Sequence, residues 1–259
     1  MDFFAALGAA WLVLELTFGL TSWTPEASNK LVLLVVCVGF ATVFSCVRGR
    51  KKRSISLVVN AVDLHVEFLD IFAAPGQRVI SVNEYFDSNI GREVSEKSLH
   101  GQFIIKILNG RSVDFDERVS RSIQGVQGEV VISKNAPNVR YPLGTTALIE
   151  DVRGNDYYVF AFSKTDLVTY KAKTTKEDFV VALGGLWKAV HANSNGKDVY
   201  IPLVGDGLSG VPLDKQSLLR AMIFSLNMQN EKIAQSITIA IRPGFCDDVD
   251  LDSIAQEWG

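Results

Sequence analysis

Hydrophobic positions follow two different patterns along this chain of 259 residues. Residues 3–23 and 31–47 are almost continuously apolar, whereas residues 54–259 alternate short β-branched runs with segments of helical spacing. A helix of about 20 residues is about 30 Å long, which is the thickness of the hydrocarbon core of a bilayer. The pattern therefore predicts a two-helix transmembrane hairpin with a basic juxtamembrane segment over residues 1–53, and a separate domain over residues 54–259.

The charges that flank the apolar runs predict their orientation. Five basic side chains lie between Arg48 and Arg53, whereas the connector at residues 24–30 contains one base. Basic segments next to spans stay on the cytoplasmic side. We therefore expect the protein in the cell inner (plasma) membrane with the larger domain in the cytoplasm. A signal peptide is the weaker alternative, because no basic segment precedes the first run and a second run follows it.

Glu15 interrupts the first apolar run. A carboxylate in the middle of a span costs about 2–3 kcal/mol on insertion scales, so it faces a partner helix or water. Two interpretations stay open. Glu15 lines a pore or an oligomer contact, or it is protonated and bonded to a neighbouring helix. Both imply that helices associate.

The larger domain is predicted to be α/β, because predicted strands alternate with predicted helices. Strands are predicted at residues 54–60, 66–71, 78–82, 129–133, 157–163, 198–204 and 236–241. Helices are predicted at residues 99–108, 113–123, 175–191, 214–229 and 251–258, and residues 134–144 are predicted to be a loop. Such an order favours a mixed central sheet with helices on both faces.

Charge and cysteine usage exclude two classes of function. Residues 54–259 carry 20 basic and 26 acidic side chains, so this domain lacks the positive surface that binding to nucleic acid requires. The cysteines are Cys37, Cys46 and Cys246, and their spacing matches neither a disulfide framework nor a metal site. We therefore predict no nucleic-acid partner and no metal.

A glycine-rich loop follows the strand predicted at residues 198–204. Its residues are Gly205, Asp206, Gly207, Leu208, Ser209 and Gly210. Glycines allow backbone N–H groups to converge on a phosphate, and the helix that starts near Asp214 adds positive potential. A tight turn that binds nothing is an equally good interpretation of the glycines alone.

Two polar residues stand near the ends of other predicted strands. Asp70 is placed to accept a hydrogen bond from an adenine amino group, or it is a turn-capping aspartate. Asn83 ends the strand predicted at residues 78–82. Ligands of open α/β sheets bind at the carboxyl ends of the strands, so Asp70 is a candidate ligand contact.

These motifs resemble a known family. Asp70-Ile71-Phe72, Val82-Asn83 and the Pro202 to Pro212 loop occur in the order of a macro domain. Residues 82–87 and 97–103 resemble more specifically the macro-like domain of Thoeris anti-phage effectors. The two apolar runs resemble the membrane-anchored type of that effector. The resemblance implies a macro-like three-layer domain with a mixed central sheet.

The resemblance also implies a ligand site for an ADP-ribose-type nucleotide. Asp70 and Ile71 would hold adenine, the glycine-rich loop would hold the phosphates, and Asn83 would lie near the distal ribose. Ser98, Leu99, His100 and Gly101 occupy the position of the loop at the distal ribose. Hydrolytic macro domains have a second Asn where this chain has Phe86, so we expect binding without catalysis and no cofactor.

His100 has two interpretations. It lies near the distal group of the ligand, which the resemblance favours, or it caps the helix predicted at residues 99–108 and bonds a loop carbonyl. Asp206 is expected to turn outward from the phosphates and to hold the loop by bonding backbone N–H groups.

The resemblance implies a function in anti-phage defence. A TIR-domain enzyme would make the signal, an amino-acid conjugate such as histidine-ADP-ribose, and the macro-like domain would bind it. Binding would drive homo-oligomerisation, and the clustered spans would damage membrane lipid and abort the infection. The alternative is a membrane-tethered ADP-ribosyl hydrolase.

Overall fold

The computed structural model describes residues 2–21, 27–48, 52–135, 137–152, 154–208, 210–230 and 236–259. The chain divides into two compact units, Met1–Lys52 and Arg53–Gly259. Residues 22–23 of the first apolar run, residues 24–26 of the predicted connector, residues 49–51 of the basic segment and Ser209 of the glycine-rich loop lie outside the described residues.

The first unit contains two helices that pack against each other. Helix α1 is Asp2–Thr21 and helix α2 is Ala27–Arg48, so the last part of the predicted connector is helical. Across the residues that the structure describes, no helix combines the length and the apolar character needed to cross a bilayer. The two helices are thus present where spans were predicted, but the prediction that they cross a membrane is not supported.

The second unit is built around one sheet. The strands are β1 Ser54–Val59, β2 Val62–Phe68, β3 Gln77–Asn83, β4 Glu129–Val130, β5 Val139–Arg140, β6 Thr146–Val152, β7 Asn155–Thr165, β8 Ala172–Lys173, β9 Val199–Pro202 and β10 Ile237–Ile241. The helices are α3 Leu99–Gln102, α4 Ser112–Ser122, α5 Lys176–Asn193, α6 Lys215–Asn227 and α7 Leu251–Trp258, and a π-helical turn at Phe103–Ile107 continues α3.

The strand order in the main sheet is β1-β2-β10-β9-β3-β7-β6, and β8 pairs with β7. Strands β2, β10, β9, β3 and β7 run parallel, whereas β1 and β6 pair antiparallel at the two edges. The predicted mixed central sheet is confirmed. All five parallel strands therefore point their carboxyl ends toward the same edge of the sheet.

Alternating side chains on the central strands separate two hydrophobic cores. In β7, Tyr158, Phe160 and Phe162 belong to the core under α5, α6 and α7, whereas Tyr157 and Val159 belong to the core under α3 and α4. Both sets are buried, because helices cover both faces of the sheet. The domain is thus a three-layer α/β sandwich, as the resemblance implied.

Most elements match the predictions, with differences that have physical causes. Helix α5 begins directly after Thr175, the first residue of the helix predicted at 175–191, and the Thr175 hydroxyl caps it by accepting the N–H of Asp178. The predicted strand at residues 129–133 is reduced to β4, which pairs with β5 in a separate hairpin. Strand β6 was not predicted, although it pairs with β7 through most of its length. The predicted helix at residues 99–108 loses its α-helical hydrogen bonding in the π-turn.

Two neighbouring glycines in α5 have different surroundings. A Cβ on Gly185 would lie 2.5 Å from the Cα of Gly144, whereas a Cβ on Gly184 would meet no heavy atom within 4 Å. We expect Gly185→Ala to lower the free energy of unfolding by about 1–3 kcal/mol, because the loop at Gly144 must move. Gly184→Ala is the matched control and should raise it by about 0.5–1 kcal/mol. Urea unfolding of both variants measures the difference, and equal stability would contradict the close approach.

Candidate functional site

The carboxyl edge of the parallel strands brings the predicted site residues to one side of the domain. Asp70 follows β2, the glycine-rich loop follows β9, and Asn83 ends β3. Arg242 follows β10, which lies between β2 and β9. The order along the edge is therefore Asp70, Arg242, the glycine-rich loop and Asn83. Asp70, the predicted adenine contact, and Asn83, predicted near the distal ribose, therefore lie at opposite ends of this row of residues.

The glycine-rich loop is described except for Ser209. Its Gly210 N–H donates to Gly207 O at 3.0 Å, and Val211 N–H donates to Gly205 O at 2.9 Å. In the described part of the chain, no acceptor is assigned to the N–H groups of residues 206–208. Gly207 and Leu208 are exposed. The loop is closed by its own backbone and still presents three successive amides.

The glycines in this loop have different roles. Gly205 has φ of 95°, and a Cβ there would lie 2.9 Å from Val211 Cγ2, so the turn itself requires a glycine. Gly207 has no heavy atom within 4 Å of its Cβ position, so the fold does not require a glycine there. A ligand that closely approaches the backbone requires a glycine even where the fold does not, and Gly207 fits that case.

Asp206 is held by a residue that the sequence analysis did not identify. Its Oδ2 accepts a hydrogen bond from Arg242 Nη2 at 2.7 Å, and its side chain is 9% exposed against 64% for Arg242. Among the described residues the partner of Asp206 is this guanidinium, and the expected bond to a loop N–H stays a prediction. The carboxylate is neutralised beside the loop. The sequence signal that could have identified Arg242 was a charged residue directly after the strand predicted at residues 236–241.

The start of helix α6 is already occupied by its own cap. Asp214 accepts hydrogen bonds from the Ser217 N–H at 2.9 Å and from Ser217 Oγ at 2.6 Å. These hydrogen bonds lower the pKa of Asp214. A capping carboxylate offsets the positive end of a helix. The predicted contribution of this helix to phosphate binding is therefore weakened, and the loop amides and nearby cations must supply the positive potential.

Asp70 occupies a turn at the end of β2. Its Oδ1 accepts the Phe72 N–H at 3.0 Å, which caps a short 3-10 turn at Ile71–Ala73. This is the turn-capping role that the sequence left open. The side chain is exposed at the carboxyl edge, whereas that of Ile71 is buried. Capping and a ligand contact are compatible, because a carboxylate has two oxygens that accept hydrogen bonds.

Asn83 is part of a buried polar network. Its Nδ2 donates to Asp87 Oδ2 at 2.8 Å and to Thr165 Oγ1 at 2.9 Å, and its Oδ1 accepts the Asp87 N–H at 3.1 Å. Asp87 also accepts a hydrogen bond from Lys134 Nζ at 2.6 Å, and both of these side chains are buried. The amide of Asn83 thus connects β3 to the following loop and to β7, and both of its N–H groups are used there.

The segment predicted at the distal ribose packs inward. Ser98 Oγ accepts the Gly101 N–H at 2.9 Å and donates to Ser95 O at 2.6 Å, and Leu99 is half-buried. His100 is buried against Phe115, with ring centroids 5.0 Å apart, and its Nε2 has no hydrogen-bond partner among the residues that the structure describes. The structure places the His100 side chain inside the domain, and the cap of this helix is Ser98.

Comparisons with known proteins identify the class of fold. A macrodomain of Oceanobacillus iheyensis, solved with ADP, has a TM-score of 0.51 at 10% identity over 79% of this chain and 97% of its own. A variant of that macrodomain has a TM-score of 0.52 at 11% identity over 81% of this chain and 96% of its own. The larger unit therefore has the macro-domain fold.

The family follows from the sequence comparisons. The family model described as "Thoeris protein ThsA, Macro domain" matches residues 64–242. The Thoeris protein ThsA of Bacillus amyloliquefaciens (strain Y2) is 23% identical over an alignment of 228 residues that covers 83% of this chain and 75% of that protein. The chain belongs to the ThsA macro-domain family of the Thoeris system.

The burial of His100 predicts a pH dependence of stability. Burial lowers the pKa of His100 to about 3, whereas an unfolded histidine has a pKa of about 6.5. Between these values the unfolded chain binds the extra proton, so the free energy of unfolding falls as the pH falls. We expect the contribution of His100 to this slope to reach about 1.4 kcal/mol per pH unit. Urea unfolding at pH 7, 6 and 5 should show a shallower slope for His100→Leu, and an unchanged slope would contradict the assignment.

Proposed function

We propose that this protein binds an ADP-ribose-type nucleotide as a signal in Thoeris anti-phage defence. The observation that carries the proposal is the loop at residues 205–210. It lies at the carboxyl edge and presents the N–H groups of Asp206, Gly207 and Leu208, with no acceptor assigned to them among the described residues. Convergent backbone amides bind phosphate oxygens without a metal. The macro-domain fold and the family membership support the same ligand class.

The order of residues along the edge suggests how the ligand would lie. Asp70 would hold adenine at one end, and the glycine-rich loop would hold the diphosphate near the middle. The distal ribose would lie toward β3 and β7, above the segment that contains Ser98 and Gly101. Asp206 would not repel the phosphates, because Arg242 neutralises it.

We propose binding without hydrolysis. Both N–H groups of the Asn83 amide are used inside the domain, and Phe86, which stands where hydrolytic macro domains have a second Asn, is buried against Tyr141 at a centroid distance of 5.7 Å. Neither side chain is then placed to act on a distal ribose. Release of ADP-ribose from an ADP-ribosylated protein by the full chain, lost in Asn83→Ala, would favour the hydrolase instead.

The ligand would carry a substituent on its distal ribose, such as the amino acid of histidine-ADP-ribose, and would come from a TIR-domain enzyme. This part rests on the resemblance of residues 82–87 and 97–103 to Thoeris effectors. The proposal includes a location at the inner membrane with the macro domain in the cytoplasm.

The response to the ligand would be self-assembly through the first unit. Apolar side chains are exposed along α1 and α2, among them Trp11, Leu12, Leu16, Val35, Val36 and Phe40. A ligand shifts an assembly equilibrium only if it binds the assembled state more tightly, and a shift from 1:99 to 99:1 needs about 5.5 kcal/mol. We propose that clustered helices then damage the membrane. This proposal rests on the exposed apolar side chains.

The loop assignment predicts the effect of one substitution. Gly207→Glu should abolish binding of ADP-ribose and of histidine-ADP-ribose to the full chain, because it fills the space above the amides and adds a negative charge. Calorimetric titration measures the loss. The fold should be kept, since no heavy atom lies within 4 Å of the Cβ position.

Gly184→Glu is the matched control. It adds the same charge at another glycine whose Cβ position is open, on α5 rather than in the glycine-rich loop. We expect it to bind as the unsubstituted chain does. Retained affinity in Gly207→Glu would reject the loop as the phosphate site, and no binding of either nucleotide by the unsubstituted chain would reject the proposed function.

The proposed response can be measured with lipid vesicles. We expect the full chain to release dye from phosphatidylglycerol-phosphatidylethanolamine vesicles only when histidine-ADP-ribose is added. Leu12→Asp should prevent release although the chain still binds the nucleotide, because it places a charge among the exposed apolar side chains of α1. Equal release by this variant, or no release by the unsubstituted chain, would count against membrane damage.

A further inference from the structure

Arg242 lies between two of the proposed ligand contacts at the carboxyl edge. Strand β10 pairs in parallel with β2 on one side and with β9 on the other. The residue that follows β10 therefore lies between Asp70, which follows β2, and the loop that follows β9. A ligand that extends from Asp70 to that loop must pass this position.

A hydrogen bond orients the guanidinium of Arg242, and the group has further N–H donors. Among the described residues its assigned hydrogen bond is that from Nη2 to Asp206 Oδ2, at 2.7 Å. A guanidinium has five N–H donors, and this side chain is 64% exposed. Its remaining donors can therefore reach an anion from solvent.

Two further contacts restrict the position of this side chain. Arg242 Cζ lies 4.5 Å from the ring centroid of Phe245, and Lys215 Nζ lies 4.4 Å from the same centroid. Lys215 is itself paired with Asp248 at 3.0 Å. Stacking on an aromatic ring limits the motion of a guanidinium, so less conformational entropy is lost when an anion binds.

The need for a cation at this edge follows from the helix cap. Asp214 places a carboxylate at the start of α6, so the helix contributes little positive potential to the loop. Without a cation, a bound diphosphate would contact only the three loop amides, although it carries at least two negative charges. An arginine can bind such a group through two parallel N–H bonds.

We propose that Arg242 is a ligand-binding residue that contacts the diphosphate of the nucleotide, and that Asp206 orients its guanidinium toward the loop amides. This rests on the proposed function and adds to it the side chain that selects a diphosphate. The carboxylate of Asp206 accepts a hydrogen bond from Nη2 of Arg242, and the phosphate oxygens accept from the remaining N–H donors.

The experiment compares single substitutions in the full chain, titrated with ADP-ribose and with inorganic pyrophosphate. Arg242→Gln should weaken both by about tenfold or more, because charged hydrogen bonds to the phosphates are lost. Arg242→Lys should retain part of the affinity, since it keeps the charge but not the fork. The difference between Arg242→Gln and the unsubstituted chain should shrink as salt is raised.

Asp206→Asn separates a ligand contact from a structural role. It keeps the loop amides and the guanidinium but removes the carboxylate that orients the guanidinium, so we expect affinity to fall by about threefold, clearly less than in Arg242→Gln. If Arg242 only held the loop through Asp206, both substitutions would weaken binding equally. Arg220→Gln is the control for charge, because Arg220 pairs with Glu257 on the surface of α6 and α7.

The outcomes distinguish this inference from the proposed function. Binding that is lost in Gly207→Glu but unchanged in Arg242→Gln would overturn the role of Arg242 and leave the nucleotide site intact. Equal losses in Arg242→Gln and Asp206→Asn would also overturn it. Absence of binding to either probe by the unsubstituted chain would overturn the inference together with the proposed function.

Discussion

The parallel alignment of five central strands is the constraint on which the site depends. Parallel strands place all their carboxyl ends at one edge, so residues far apart in the chain become neighbours there. Asp70, Asn83, the loop at residues 205–210 and Arg242 are separated by up to 172 positions, and each follows or ends one of these strands. If one strand of the set were reversed, its residue would move to the opposite edge and the site would lose that contact.

Charge neutralisation is the second constraint at this edge. One aspartate, Asp206, lies within the loop that is proposed to hold phosphates, and a second, Asp214, follows it. Asp214 is committed to the cap of α6, and Asp206 is committed to Arg242. Both carboxylates are therefore occupied by partners within the domain. The ion pair has a second consequence, because it holds an exposed guanidinium beside the loop amides.

The elements of the domain were largely predictable, because hydrophobic spacing and cap residues are local properties. Thr175, Asp214 and Asp250 cap the helices that their sequences indicated. Strand β6 was missed because it is an edge strand whose pairing with β7 is a tertiary property. The glycine-rich loop was found from its composition. Arg242 was missed because nothing in its local sequence shows which strands will lie beside β10.

The sequence by itself determined the α/β class, the boundary near residue 53 and the glycine-rich loop, because each depends on residues close together in the chain. Only the tertiary structure decided what the polar side chains do. Asn83 is committed to Asp87 and Thr165, and His100 is buried against Phe115. Those partners are set by strand order and by packing of helices on the sheet. Hydrogen bonds and burial depend on distances between segments, which local residue patterns do not contain.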